Sequence, residues 1–554
     1  MDKKTILAFA LSFVVLVGWS LFFSPKPKET PPEKNAATES AQPAPKDEKS
    51  PVKVTSVSPS KAVTAADQPV VPSEAKTVEI DTPLYKAVFS NVGPTIKSFK
   101  LKKYRQTTDP NSPFVELVTL EPGMGDSLTV QFDGNGGGNA NNQAFNVDKD
   151  SLALSQGSEP GTIVFRGTSP NGIAITQTYR FYSDRYGIDL AVTAANPTEN
   201  AVNGVFRTTL RALPPHDKTS YYAYVGLALY LDNKLNELKV GDPGDEESVN
   251  GNIGWVSYED SYFISAVVPS VPAKGSFKAK HLSSGVLEGV FLPPAVSLPP
   301  SAQATSEYQF YLGPRELGPL KQFGKNLDRA IDFGWTDIIA KPLLYVLRFF
   351  DQYIHNYGLS IILLTILVKI LFWPLTHKSY KSMKEMQKLQ PRMAKLREKY
   401  KGDKQKLNQE MMALYKTYKV NPMGGCLPMV VQIPVFFALY RVLGTCIELR
   451  HAPFVFWIND LSAPGRLFHF SFTIPFMTPP YGIPVLTLLM GASMFVQQKM
   501  TPSPGDPAQA KIMMFLPVIF TFMFINFPSG LVLYWLVNNL LSIGQQYRIY
   551  KKKA

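Results

Sequence analysis

Cysteine is nearly absent from this chain of 554 residues: Cys426 and Cys446 stand twenty positions apart in one apolar segment. On a helix, at ~1.5 Å per residue, that separation is roughly 30 Å. A disulfide tolerates only about 7 Å between Cα atoms, so no intrachain bridge is expected. The histidines (216, 281, 355, 377, 451 and 469) are scattered with no pair at ligand spacing, which argues against zinc. Gly134-Asn-Gly-Gly-Gly lacks the Lys-Ser/Thr and the following helix of a phosphate cradle. Asp332-Phe-Gly stands without the companion motifs of a kinase, and no Gly-x-Ser-x-Gly elbow occurs. These absences predict no cofactor, no metal, no catalytic residues and no small-molecule substrate.

Positive charge is plentiful, and its location matters more than its total. Of the formal net charge of +13, a surplus of +9 falls within 378–420, where 13 Lys or Arg stand against 4 Asp or Glu. Another +4 comes from Arg548 and Lys551 to Lys553. Cytosolic loops of membrane proteins carry such an excess, so the charge is first a topological signal. A basic arm beside a membrane also suits anionic lipid or ribosomal RNA.

Residues 1–23 read as an uncleaved signal anchor with its N-terminus in the cytosol. Met1-Asp-Lys-Lys precedes an apolar run whose exit, Leu21-Phe-Phe-Ser-Pro-Lys, has no small-x-small cleavage site. Residues 24–75, rich in Pro, Lys, Glu, Ala and Ser, cannot bury enough apolar surface to offset chain entropy and read as a flexible linker. From 76 to 320 the period becomes two. Ile173, Ile175, Gln177, Tyr179 and Phe181 alternate with Ala174, Thr176, Thr178 and Arg180, and Ile188, Leu190 and Val192 repeat the theme before Asn196-Pro197. The spacing predicts a large all-β sandwich, periplasmic because it follows an N-in anchor. Residues 321–356 predict an amphipathic interfacial helix with Leu327, Ile331, Ile338, Ile339, Leu343, Val346 and Phe350 on its apolar stripe.

Residues 357–550 hold five apolar segments: 359–375, 424–443, 483–496, 512–527 and 531–549. With the anchor they predict a multi-domain membrane protein built on a six-span α-helical bundle with a five-helix C-terminal core. Alternation from the N-in start places 378–420, 499–511 and the basic tail 551–554 in the cytosol, and 448–481 outside. Two segments are shorter than the usual twenty or so residues, as a thinned bilayer or polar flanks would allow. Within 378–420, Tyr380, Met383, Leu389, Met393, Leu396 and Tyr400 form one stripe, and Leu407, Met411, Leu414 and Tyr418 another. Joined at Gly402-Asp403, they predict a cytosolic helical hairpin of about 20 residues a side, bent at Pro391.

One cation, Lys369, lies inside the segment 359–375, with Thr365 one turn earlier on the same face. No Asp or Glu occurs in any of the six runs. An ammonium without an acidic mate, roughly 13 Å inside the cytosolic edge at ~1.5 Å per residue, must reach water by snorkelling or through a wet cavity. Gln432, Asn526, Asn538 and Asn539 are available to line such a cavity. Pro374, Pro428, Pro434 and Pro517 leave carbonyls that also need one. A transporter holding an anion at Lys369 is the competing reading, and no inverted repeat supports it. An extracytoplasmic enzyme acting through the β domain is another, and no acid pair supports that.

Several segments carry a family resemblance: Leu389-Gln-Pro, Gln409-Glu-Met-Met-Ala-Leu-Tyr-Lys, Val420-Asn-Pro-Met-Gly-Gly-Cys-Leu-Pro, Gln432-Ile-Pro-Val-Phe, Trp457-Ile-Asn-Asp-Leu-Ser and Phe527-Pro-Ser-Gly-Leu-Val-Leu-Tyr-Trp. The chain resembles the YidC family of membrane protein insertases, Gram-negative type with a large periplasmic domain. The resemblance implies an insertase and chaperone of the bacterial inner membrane that inserts, folds and assembles membrane proteins, alone or with the Sec translocon. A hydrophilic groove open to the cytosol is implied, its cation falling on Lys369 where the family usually has Arg. That exchange keeps the charge and loses the guanidinium fork. Thr365 and Gln432 match groove positions, and the functional aromatic of the last helix falls on the pair Tyr534-Trp535. The hairpin, with Gln390, Pro391, Glu410, Met411 and Met412, matches the region expected to meet the ribosome, the signal recognition particle receptor or the nascent chain. The implied partners are thus nascent membrane proteins, ribosome, Sec translocon, signal recognition particle receptor and lipid bilayer. Without an ATP motif, substrate partitioning and the membrane potential, roughly 2.3 kcal/mol per charge per 100 mV, must drive insertion.

Overall fold

The computed structural model describes residues 75–121, 123–134, 143–215, 224–418, 420, 427–501 and 507–551. The anchor 1–23, residues 24–74 of the linker, Cys426 and residues 552–554 of the basic tail lie outside the described residues.

The period-two region folds as two facing β-sheets of five and fourteen strands. In the larger, Phe263–Pro269, Gln303–Pro314, Gly187–Ala195 and Ala174–Phe181 lie side by side and antiparallel, with Leu190 opposite both Tyr308 and Tyr179. The expected alternation holds: Ile173, Ile175, Gln177, Tyr179 and Phe181 are buried, as are Ile188, Leu190 and Val192. The smaller sheet contributes Tyr85–Ser90, whose Phe89 ring lies 5.1 Å from Tyr179 and 5.6 Å from Phe181. Burial of aromatic rings from both inner faces is the main stabilising term here. Gln177 is the polar member of that core and is satisfied: Nε2 donates to the Val130 carbonyl (3.1 Å) and Oε1 accepts from the Tyr179 hydroxyl (2.9 Å).

The stretch 321–356 is divided. A short helix α1 (Leu317–Phe323) ends at Gly324, whose φ of 80° a glycine adopts without strain. Two 3-10 turns follow, Leu327–Ala330 and Gly334–Thr336, and only then α2 (Asp337–Ile354). Its buried line is Ala340, Leu344 and Leu347, while Ile338, Tyr345, Phe349 and Tyr353 stay exposed. Of the stripe read from the sequence, Leu327 and Ile331 are buried and Ile339, Leu343, Val346 and Phe350 pack partly buried against the core, while Ile338 is exposed; on the exposed face the Tyr345 hydroxyl accepts from Lys321 Nζ at 2.6 Å.

Helix α3 (Tyr357–Leu371) starts where the Asn356 side chain accepts from the Leu359 N–H at 3.0 Å. It meets α4 (Trp373–Lys399) at a 66° bend. Pro374 falls in the first turn of α4, where its missing N–H costs nothing, so the proline begins a helix rather than kinking one. The last residues of the apolar run thus belong to the arm. A turn capped by Asp403, which accepts from the Gln405 and Lys406 N–H groups, leads to α5 (Lys404–Thr417). The two helices have 27 and 14 residues rather than equal lengths, with Pro391 inside the first. They pack through Met393, whose sulfur lies 3.8 Å from the Tyr415 hydroxyl.

The remaining helices are α6 (Leu427–Thr445), α7 (Val485–Met500), α8 (Pro507–Met523) and α9 (Ser529–Lys551). Among the described residues no single helix is long and apolar enough to cross a membrane, although α3 and α4 pass that test together across their bend. Between α6 and α7 the chain forms a hairpin, Leu467–Phe470 against Tyr481–Ile483, that the sequence reading did not anticipate. The β domain joins the helices through shared guanidinium groups. Arg348 of α2 lies 3.1 Å from Glu316 and 3.6 Å from Glu448, and Arg450 donates to the Gln106 carbonyl at 3.1 Å.

Candidate functional site

Lys369 is 8 % exposed, and its ammonium donates to Asn538 Oδ1 at 3.2 Å and Ser542 Oγ at 2.6 Å. Both partners are neutral. They come from α9, where Asn538, Ser542 and Gln545 recur at helical spacing and so share one face. One turn further along, Gln545 Nε2 donates to Thr376 Oγ1 at 2.9 Å. The Tyr380 hydroxyl lies beside Ser542, and Lys384 Nζ donates to the Ile549 carbonyl at 2.9 Å. A polar seam thus runs along α3, across the bend and down the start of α4, matched throughout by α9. On its other side α9 makes a second buried contact, Asn539 Nδ2 to Ser493 Oγ of α7 at 3.0 Å.

A cavity of about 20 Å³ opens on this seam, lined by Lys369, Thr376, Gln432 and Asn538 with Val368, Phe372 and Val435. That is room for about one water. Thr365 is buried one turn above, its hydroxyl donating to the Ile361 carbonyl at 2.7 Å. Tyr534 is also buried; its hydroxyl faces Gln432 without meeting a partner at hydrogen-bonding geometry. Trp535, its chain neighbour, points elsewhere, into an aromatic cluster with Phe436 (4.7 Å), Phe524 (5.0 Å) and Phe520 (6.1 Å). Of the residues expected at one site, Lys369 and Gln432 are brought together, with Thr365 one turn from Lys369 and Tyr534 beside Gln432; Trp535 is not.

The hairpin residues form no part of this cavity. Pro391 and Met412 are exposed, and Gln390, Glu410 and Met411 are half-buried along the hairpin. Sequence reasoning missed Thr376, Ser542 and Gln545. The signal was available, because Asn538, Ser542 and Gln545 recur at helical spacing within an otherwise apolar run.

Chemically, the seam offers one buried cation, amide and hydroxyl groups, and space for a water. Among the described residues no group of three or more His, Cys, Asp or Glu could hold a metal. The arrangement can solvate a polar or acidic group at a depth where lipid would not.

The class to which a helical core with a buried polar seam and a large β domain belongs is given by the comparisons with known proteins. The family model described as 60Kd inner membrane protein matches residues 349–554, and that described as YidC periplasmic domain matches 77–346. A membrane protein insertase YidC from Syntrophus aciditrophicus is 44% identical over 567 residues, covering 100% of both chains. One from Geobacter sulfurreducens is 44% identical over 557 residues, covering 99% of this chain and 98% of the other. A solved active YidC insertase with its first transmembrane domain resolved aligns over 87% of this chain and 95% of its own, at 17% identity and a TM-score of 0.37. The chain belongs to the YidC family of membrane protein insertases, proteins of the inner membrane that carry a periplasmic domain.

Proposed function

We propose that this chain inserts its clients through the polar seam around Lys369, with Thr365, Gln432 and Tyr534 beside it. The observation that carries the reading is the neutral surroundings of the Lys369 ammonium, which hydrogen-bonds Asn538 and Ser542. An uncompensated cation within an apolar bundle attracts an acidic client segment and lowers the cost of its dry path. The seam widens as the client's polar segment displaces Asn538 and Ser542 from the ammonium, and the client's apolar segments leave along the helix faces into lipid.

In this reading the bundle spans the bilayer six times, with both termini and the hairpin of α4 and α5 in the cytosol and the β domain in the periplasm. The hairpin, through Gln390, Pro391, Glu410, Met411 and Met412, receives the ribosome, the signal recognition particle receptor or the nascent chain, and insertion proceeds alone or with the Sec translocon. No covalent chemistry is involved. Site-specific crosslinking from position 369 to a stalled nascent chain tests the seam directly. Crosslinks to the client's acidic segment are expected there, and their absence while insertion proceeds would overturn it.

A further inference from the structure

The chain from 467 to 498 contains no Asp, Glu, Lys or Arg, a run of 32 residues. Only its second half is the helix α7; its first half is the hairpin that precedes that helix. Such a loop in water would be expected to carry charge. This one instead exposes phenylalanine: Phe476 is 85 % and Phe468 67 % exposed, with Phe472 between them also exposed, and Phe456 just upstream reaches 89 %. Phe456 and Phe476 are the two most exposed large apolar side chains among the described residues.

The backbone holds these rings outward at a cost. Phe456, Phe468 and Phe476 have φ of 57°, 54° and 64°, a left-handed conformation that bulky residues rarely adopt. The loop is nonetheless firmly gripped. Asn526, at the end of the 3-10 turn that follows α8, donates to the Phe476 carbonyl at 2.9 Å and accepts from the Thr478 N–H at 2.9 Å. Arg466, the last cation before the uncharged run, is turned inward with Nη2 donating to Asn526 at 3.2 Å. Phe476 therefore sits beside the end of a membrane helix rather than far out on a stalk.

That helix is short. Its apolar part, Ile512–Asn526, is 15 residues, and at ~1.5 Å per residue this is about 22 Å against a hydrocarbon core of roughly 30 Å. In the topology proposed above, Lys499 near the opposite end of α7 marks the cytosolic boundary, so the deficit falls at the periplasmic end. There the apolar surface of the helices continues, without a charged residue, into the hairpin. The geometry points to a membrane wedge: the 467–484 hairpin, with Phe456, inserts its rings into the outer leaflet and completes the apolar height that α7 and α8 lack. The leaflet assignment rests on the topology proposed above.

The test uses the full chain in nanodiscs of phosphatidylethanolamine and phosphatidylglycerol, with Cys426→Ser and Cys446→Ala. An NBD probe is attached at Phe456→Cys, at Phe476→Cys or, for comparison, at Val271→Cys, which is 75 % exposed but lies on the β domain. Probes at 456 and 476 are expected to be quenched about twofold or more by a shallow acyl-chain nitroxide and shielded from aqueous iodide. The probe at 271 should do the reverse. Iodide quenching at 456 and 476 equal to that at 271 would overturn the wedge, even in a chain that still inserts clients. Phe476→Gly is the second arm. If the rings are idle, relief of the left-handed strain raises the melting temperature in nanodiscs; if they hold lipid, it falls. Labelling of Asp242→Cys by an impermeant maleimide on intact spheroplasts reads the topology separately. Labelling only after the cells are opened would overturn the leaflet assignment.

Discussion

The β domain and the helical bundle place their polar and apolar groups in opposite ways. In the β domain Trp255, Tyr85 and Phe99 are fully buried, and the fully buried carboxylate Glu259 is paired with Arg315 at 3.3 Å. In the bundle Lys369, Asn539, Ser542 and Gln546 are buried, while Leu371, Phe515, Ile519 and Phe522 are exposed. The first arrangement is driven by removal of apolar area from water. The second cannot be, because lipid is as apolar as the side chains, and close packing and hydrogen bonds must hold the helices instead. Gly491 of α7 shows the closeness: a Cβ there would come within 2.1 Å of Thr521 Oγ1 on α8.

The comparison can be broken from either side. The largest stability effect is expected in the β core. Phe89→Ala, at the contact between the two sheets, should destabilise that domain by about 3–5 kcal/mol in denaturant titration while insertion largely survives. A complete loss of insertion by a folded bundle would show that the β domain takes part in the transfer. Next comes Lys369→Ala, which should slow insertion of acidic clients about tenfold, ~1.4 kcal/mol of barrier, with Lys369→Arg tolerated. Unchanged rates for such clients would remove the electrostatic role. The seam's own bonds should be weaker. A double-mutant cycle of Thr376→Val and Gln545→Leu is expected to give a coupling of about 0.6–1.7 kcal/mol, read by unfolding in mixed micelles.

A pH-dependent effect concerns the junction between the two regions. Burial, with Glu316 close by, pushes the Glu448 carboxyl up from its ordinary 4.5 to about 7, against the pull of Arg348. The folded state therefore keeps this proton to higher pH than the unfolded chain. The contribution of this carboxyl to stability is full below about 4.5, falls as pH rises from there to about 7, and is lost above. Glu448→Gln should flatten this slope, measured as melting temperature against pH. A slope unchanged by the substitution would mean that Glu448 does not titrate in that window.

Legibility also differed between the two regions. The strand alternation around Tyr179 was readable because a half-buried sheet repeats every two residues and nothing competes with that signal. Lys369 was readable because a cation in an apolar run has few explanations. Its partners were harder: Ser542 and Gln545 are unremarkable on their own and gain meaning only when α9 is laid against α3 and α4. The bend at Phe372 was hidden because apolar residues continue across it, so hydropathy alone set the boundary a few residues late. The break-up of 321–356 depends on Gly324, Asn326 and Gly334 adopting positive φ, which a stripe of apolar residues does not report. The hairpin at Leu467–Phe470 was obscured by its own composition, since an uncharged aromatic stretch reads equally as loop, strand or interface.

The bend between α3 and α4 gives the arm a mechanical character. At ~1.5 Å per residue a helix of 27 residues is about 40 Å long, so a rotation of about 10° at Phe372 sweeps its far end through roughly 7 Å. Thr376 and Lys384 fasten the near end of that lever to α9. A load applied at the tip is thereby delivered, with leverage, to the hydrogen bonds that tie α4 to α9 beside Lys369.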